Sequence, residues 1–221
     1  MEFDPLIRAM FPHDNRGRIT GASPLVHILR TPDAVVVRCH ASLPDDVVLR
    51  IEDLAAAPRA RPSRWAEDYA RFMDLVGTHG GIGSIRSGML YGFPGHLPEA
   101  PDCILIHRGN AQQLASTLPD WIDDAEAGRT MAAALVGGKV VSVCASVRET
   151  DNVHCAGVET TPEFRGQGLA GRAVSLWARN VRETGAEPYY ATTFDNIGSQ
   201  KVAGRLGLNM IGSEFSISAA D

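Results

Sequence analysis

A glycine-rich turn, Arg165-Gly166-Gln167-Gly168-Leu169-Ala170, joins a strand-like run at 153–160 to a helix-like run that ends near Gly185. A turn of this kind leaves several backbone N–H groups unpaired at the start of the helix. Those groups and the positive end of the helix dipole favour a bound phosphate, and glycine lets a ligand approach the backbone closely. The turn therefore predicts a phosphate site.

The Arg-x-x-Gly-x-Ala spacing that begins at Arg165 resembles the acetyl-CoA pyrophosphate loop of the GCN5-related N-acetyltransferase (GNAT) superfamily. The run 157–166 is similar to the strand and turn that precede that loop. Downstream, 194–200 resembles the family's Asn-x-x-Ser helix, and 205–208 resembles its closing Leu-Gly-Leu turn. The resemblance covers the C-terminal part of the chain, whereas residues 1–120 match no family.

Strand and helix patterns alternate from residue 130 onward. Two strands joined at Gly137-Gly138 form a predicted hairpin, and a strand, a helix, a strand, a helix and a strand follow. This order predicts an α/β fold with a mixed sheet. The resemblance implies the GNAT acyl-CoA N-acyltransferase fold with an N-terminal α/β extension. We expect residues 121–221 to form the acetyl-CoA-binding core and residues 1–120 to contribute to the acceptor pocket.

The first half of the chain has weaker patterns. Prolines and glycines predict irregular structure over 1–33, with a short helix at 25–29. A β-branched run predicts a strand at 34–39, and the basic stretch 59–62 is expected to be a linker. Residues 77–98 are rich in glycine and proline, so we expect a loop with one strand there.

The resemblance implies how acetyl-CoA, the expected co-substrate, is held. The strands at 153–160 and 188–193 run parallel and then separate, and the arm of the cofactor pairs with backbone groups around Val158 and Thr160. Asn196 and Ser199 lie beside this arm, although asparagine is also a favoured helix cap. The pyrophosphate rests on the amides of Arg165, Gly166, Gln167, Gly168, Leu169, Ala170 and Gly171.

The implied reaction is direct acetyl transfer to the amine of a small molecule, and it needs a base because only a neutral amine attacks. Glu159 is one candidate, and its apolar and hydroxyl neighbours predict partial burial. His154 is the other candidate, because imidazole titrates near the working pH. Each residue also has a non-catalytic interpretation. Glu159 is then an outward-facing strand residue, and His154 is a hydrogen-bonded or exposed histidine. They face opposite sides of a regular strand, so both serve only if a bulge intervenes.

The position of the expected general acid departs from the family. Many members carry a tyrosine seven residues after the helix asparagine, where this chain has Ala203. The proton donor for the CoA thiolate could then be Ser199, Tyr190 or a water. The departure also favours an alternative function, a weakly active or non-catalytic protein that binds acyl-CoA as a regulatory or interaction module.

Composition limits the partners. A formal net charge of −5 argues against nucleic-acid binding, and no apolar run approaches the length of a membrane span. Four widely spaced cysteines predict reduced core residues, and the N-terminus lacks a signal-peptide pattern, so we expect a cytoplasmic protein. The histidines show no ligand spacing, so no metal is expected. The oligomeric state is left open, with a homodimer as one option.

Overall fold

The computed structural model describes residues 4–22, 24–56 and 65–220. The predicted linker at 59–62 lies outside these residues. Within the described ranges, no helix is both long enough and apolar enough to cross a bilayer.

A unit formed by residues 90–210, here called the second unit, contains most of the elements around the glycine-rich turn. Its elements are β4 (Cys103–Ile106), α4 (Ile122–Glu126), β5 (Met131–Val136), β6 (Lys139–Thr150), β7 (Val153–Thr160), α5 (Leu169–Glu183), β8 (Glu187–Thr193) and α6 (Ile197–Arg205). The strands lie in the order β8-β7-β6-β5-β4. All neighbours are antiparallel except β7 and β8, which are parallel. The predicted α/β fold with a mixed sheet is therefore confirmed.

The first unit combines residues 1–89 with residues 211–221. Its elements are α1 (Asp4–Met10), β1 (Val26–Arg30), β2 (Val35–Cys39), α2 (Asp45–Ala56), α3 (Trp65–Gly77) and most of β3 (Ile82–Gly92) and β9 (Asn209–Ala219). The strands follow the order β2-β1-β9-β3, and β1 pairs antiparallel with both β2 and β9.

The predicted helix at 25–29 is wrong, because this segment forms strand β1. Its apolar residues are buried in succession, and a short run of that kind has no periodicity that separates a strand from a helix. Residues 1–33 are also less irregular than predicted, since they contain α1 as well as β1. The strand expected within 77–98 is present as β3, and it is long.

Two hydrophobic cores of the second unit take alternate residues of the same strand. On β5, Ala132 and Ala134 belong to the core that contains α5, whereas Met131 and Ala133 belong to the other core. Because successive strand residues point to opposite faces, the two cores cover the two faces of this sheet. Trp177 of α5 is fully buried in the first of them.

The pairing between the two parallel strands is short. In the described residues it runs from Val153↔Glu187 to Cys155↔Tyr189 and then stops, although both strands continue. The later parts of β7 and β8 are thus not joined to each other. This opening lies next to the turn that leads from β7 into α5.

Candidate cofactor and acceptor site

The glycine-rich turn presents a row of unused backbone donors. The N–H groups of residues 166–171 donate to no partner within the described part of the chain. Gly166 and Gly168 have φ angles of 80° and 81°, which is the left-handed region that glycine adopts at low cost. A side chain on Gly166 would meet no atom within 4 Å, so the space beside this backbone is open. The turn is a cradle suited to an anion.

The residues before the turn fix where it begins. Thr161 donates its backbone N–H to the carbonyl of Val141 at 3.0 Å, which ends the pairing of β7 with β6. A short 3₁₀ turn over Pro162–Phe164 follows. The Nε of Arg165 then donates to the carbonyl of Thr160 at 3.1 Å, so this side chain folds back along the end of β7.

A second arginine lies beside the cradle. The Nη1 atom of Arg205, at the end of α6, lies 3.9 Å from the place that a Cβ on Gly168 would occupy. Its charge strengthens the attraction for an anion at the start of α5. Arg205 was predicted only as part of the closing turn. Its cationic character was the available signal, but nothing in the sequence shows that α6 ends next to α5.

The free edge of β7 supplies further donors and acceptors. Since Thr161 is hydrogen-bonded to β6, the alternation of an antiparallel ladder turns the backbone groups of Val158 and Thr160 away from β6, toward the opening. On β8, Thr192 is 6% exposed, and its hydroxyl has no hydrogen-bond partner in the described residues. A buried unpartnered hydroxyl is costly, so Thr192 is a group that a ligand can satisfy.

Asn196 caps helix α6. Its Oδ1 accepts the backbone N–H of Ser199 at 3.0 Å. Ser199 Oγ in turn lies 2.7 Å from the hydroxyl of Tyr190, which is buried. Burial raises the pKa of Tyr190 to about 12, and the hydrogen bond to Ser199 opposes this shift. Ala203, in place of the family's tyrosine, is fully buried in the core that contains α5.

Glu159 is exposed, so the predicted partial burial is wrong. The run of apolar and hydroxyl neighbours in the sequence does not show which positions of the strand are covered, because that depends on how distant elements pack on it. In the part of the chain that the structure describes, the carboxylate has one hydrogen-bond partner: its Oε2 accepts the indole N–H of Trp121 at 2.6 Å. Trp121 was not predicted as a site residue, because the two residues are far apart in the chain and no local pattern links them.

His154 is buried in a polar network. Its Nδ1 lies 2.7 Å from Ser146 Oγ, which also accepts the indole N–H of Trp177 at 3.0 Å. The carboxylate of Glu149 lies 3.4 Å from the same nitrogen. Burial lowers the pKa of His154, and the charge of Glu149 opposes that shift. The ring is thus held by partners on the α5 side of the sheet.

The two candidate bases lie on opposite faces. His154 joins the network of Trp177, whereas Glu159 bonds Trp121, which packs against the other core. A bulge is present, but it lies in β6 between Ser146 and Arg148 and leaves β7 regular. The structure therefore does not bring the two side chains together.

No group of three or more His, Cys, Asp or Glu side chains that would suit a metal occurs among the described residues. The four cysteines are free, and burial raises the pKa of Cys39 to about 12 and that of Cys103 to about 11. These thiols are not activated nucleophiles.

Comparison with known proteins relates this architecture to one family. A family model described as GNAT acetyltransferase matches residues 111–213. A search of curated proteins finds no match.

Several solved structures of similar fold are acetyltransferases or acetyltransferase-like proteins. A GCN5-related N-acetyltransferase-like protein from Streptococcus suis is 16% identical, with 89% of this chain and 84% of that chain covered and a TM-score of 0.51. A GNAT-family acetyltransferase from Colwellia psychrerythraea is 11% identical, with coverages of 94% and 79% and a TM-score of 0.52. A GCN5-related N-acetyltransferase from Kribbella flavida is 15% identical, with coverages of 98% and 93% and a TM-score of 0.50. Identities this low support the shared fold alone.

Proposed function

We propose that the chain is a member of the GNAT superfamily, because residues 111–213 match the family model described as GNAT acetyltransferase. Membership supports acyl-CoA-dependent acetyltransferase activity. Our proposal is narrower: the protein transfers an acetyl group from acetyl-CoA to the amine of a small molecule. The single observation that carries it is the row of unused N–H donors at 166–171, between β7 and α5.

The residues of this chain fit acetyl-CoA. The unused amides and the left-handed glycines of the cradle suit a pyrophosphate, and Arg165 and Arg205 add positive charge. The backbone groups of Val158 and Thr160 suit the amides of the pantetheine arm. The buried hydroxyl of Thr192 supplies one more hydrogen bond. Asn196, beside the start of α6, remains a proposed contact of the cofactor arm. When bound, acetyl-CoA supplies an acetyl group activated as a thioester.

The reaction places three requirements on the protein. Transfer to an amine forms a C–N bond and breaks a C–S bond, so the amine must give up a proton and the departing thiolate must gain one or be stabilised. The carbonyl oxygen also develops charge, for which a backbone N–H on the free edge of β7 is the donor that we propose.

We assign the base to Glu159 rather than to His154. Glu159 carries an exposed carboxylate that reaches solvent, where an amine can approach it. His154 has its Nδ1 engaged by Ser146 in a buried network on the other face of the sheet. A water between Glu159 and the amine would serve equally well as the proton carrier.

The leaving group has no tyrosine at position 203 to protonate it. We propose the hydrogen-bonded pair of Ser199 and Tyr190 as the donor. Tyr190, whose pKa burial raises to about 12, is protonated at neutral pH, and it holds the hydroxyl of Ser199 in place. Ser199→Ala is expected to slow thiol release by a larger factor than it weakens acetyl-CoA binding.

The buried Ala203 also favours a second candidate, a non-catalytic protein that binds acyl-CoA as a regulatory ligand. Both candidates predict binding to the cradle, and only the first predicts turnover. The contribution of residues 1–120 to the acceptor pocket and the oligomeric state remain predictions from the sequence.

Calorimetric titration with acetyl-CoA and with free CoA, followed by a screen of amines for thiol release, tests the proposal. Binding of both CoA forms with amine-dependent thiol release supports the enzyme. Binding without turnover of any amine or of another acyl donor, such as succinyl-CoA, supports the second candidate. Absence of binding to either CoA form overturns both.

A further inference from the structure

We infer that Trp121 and Glu159 form the recognition site for the acceptor, and that this site selects primary amines whose ammonium group is carried by an apolar chain or ring. The inference rests on the proposed function, because it names the substrate class of the same reaction. In this arrangement Glu159 contacts the acceptor, and Trp121 is a positioning residue that acts through Glu159.

The first observation is the geometry of the pair. The indole N–H of Trp121 donates to Oε2 of Glu159 at 2.6 Å, a short contact typical of a bond to a charged acceptor. The other carboxylate oxygen makes no hydrogen bond within the described part of the chain. One oxygen is thus fixed by the protein, and the other is left for a ligand. A carboxylate held in one orientation binds a cation with less loss of side-chain entropy.

The second observation is the surface beside the carboxylate. A Cβ on Gly157 would collide with Cγ1 of Val147 and would lie 3.3 Å from Cη2 of Trp121, so both side chains pack against the backbone of this glycine. Val147, the residue at the β6 bulge, remains 39% exposed. The carboxylate therefore stands next to an apolar surface made by a valine and the edge of an indole. Such a surface favours the apolar body of a ligand.

The third observation is the charge around Trp121. Asp120 and Asp123 flank it in the sequence, are exposed, and make no ion pair in the described residues. Glu159 likewise makes no ion pair in the described residues, so its own charge is available to attract an ammonium ion. The nearby Asp124 is already paired with Arg129 at 2.7 Å and adds little. Aliphatic ammonium groups stay charged at neutral pH, so a primary amine arrives as the cation.

Hexylamine and its uncharged analogue hexanol test the inference. In ¹⁵N-labelled protein, the indole N–H signal of Trp121 is the one that disappears in Trp121→Phe, a variant that keeps an aromatic ring but loses the donor and part of the indole surface. We expect hexylamine to shift this signal saturably and hexanol to leave it unchanged at equal concentration. Glu159→Gln should weaken hexylamine binding about three- to tenfold, and Glu183→Gln, an exposed charge at the end of α5, should not.

Kinetic measurements distinguish a positioning role of Trp121 from a purely structural one. Trp121→Phe should raise KM for hexylamine with acetyl-CoA affinity unchanged, because the cradle does not involve Trp121. A signal that hexylamine does not shift, or a Glu159→Gln variant with wild-type affinity, overturns the inference, even if another acceptor is acetylated. A saturable shift without thiol release supports the recognition site and contradicts the proposed activity instead.

Discussion

Gly168 shows what one residue contributes to the cradle. It is the N-cap of α5, and its φ of 81° lets the backbone enter the helix with the N–H groups of the first turn unused. Any other residue pays a conformational cost of roughly 1–2 kcal/mol in this region. A side chain there would also approach Arg205. The position therefore combines a backbone requirement with a requirement for open space.

We predict that Gly168→Glu loses at least about a hundredfold in CoA affinity, because bulk and negative charge enter the anion site. Gly185→Glu is the matched control: Gly185 has a φ of 87° and no atom within 4 Å of its Cβ position, so it carries the same backbone cost away from the cradle. Calorimetry with CoA and thermal unfolding of both variants make the comparison. Equal losses of affinity in the two variants would show that only stability is involved.

At the scale of elements, the strands around the site carry a buried titratable network. His154 on β7 is bonded to Ser146 on β6, which is bonded to Trp177 on α5. The carboxylate of Glu149 is the nearby charge that favours the protonated ring, and burial, the larger effect, favours the neutral ring. The network ties two strands to the helix that carries the cradle at its start.

This network predicts how stability depends on pH. Because the folded pKa of His154 is below its ordinary value of 6.5, the unfolded chain takes up a proton first as the pH falls. The contribution of His154 is complete above pH 6.5 and is lost as the pH falls toward the folded pKa. Urea midpoints at pH 8 and pH 5.5 should therefore differ more in the wild type than in His154→Gln. If the urea midpoint changed equally with pH in the wild type and in His154→Gln, the pH dependence could not be assigned to His154.

The elements also show what the sequence can predict. Strand β7 was predicted with the boundaries that the structure has, and the hairpin at Gly137-Gly138 is present, because both are marked by local patterns. Strand β1 was predicted as a helix because its apolar residues are buried in succession and show no hydrophobic periodicity that separates a strand from a helix. The Trp121–Glu159 contact and the approach of Arg205 to Gly168 were not predicted. They depend on how distant elements pack, and no local pattern encodes that packing.

At the scale of the whole molecule, the chain returns to its first unit after completing the second. Residues from 211 onward supply most of β9, which pairs with β1 in register from Val26↔Ile217 to Arg30↔Ser213. Phe215 is 1% exposed and stacks on Tyr69 of α3, with ring centroids 4.0 Å apart and planes 5° apart. The first unit is thus built from both ends of the chain, and its core is incomplete until β9 is added.

Phe215→Ala should therefore destabilise the protein by about 3–5 kcal/mol, the usual cost of removing a buried aromatic ring. The loss acts on the core that joins β1, α2 and α3, so amide hydrogen exchange should speed up at Val26–Arg30. Leu49→Ala is the control, because Leu49 is a large apolar residue of α2 that is 61% exposed, and its removal should cost less than about 0.5 kcal/mol. Urea unfolding gives both energies. If the two variants were equally stable, β9 would not be the strand that completes this core.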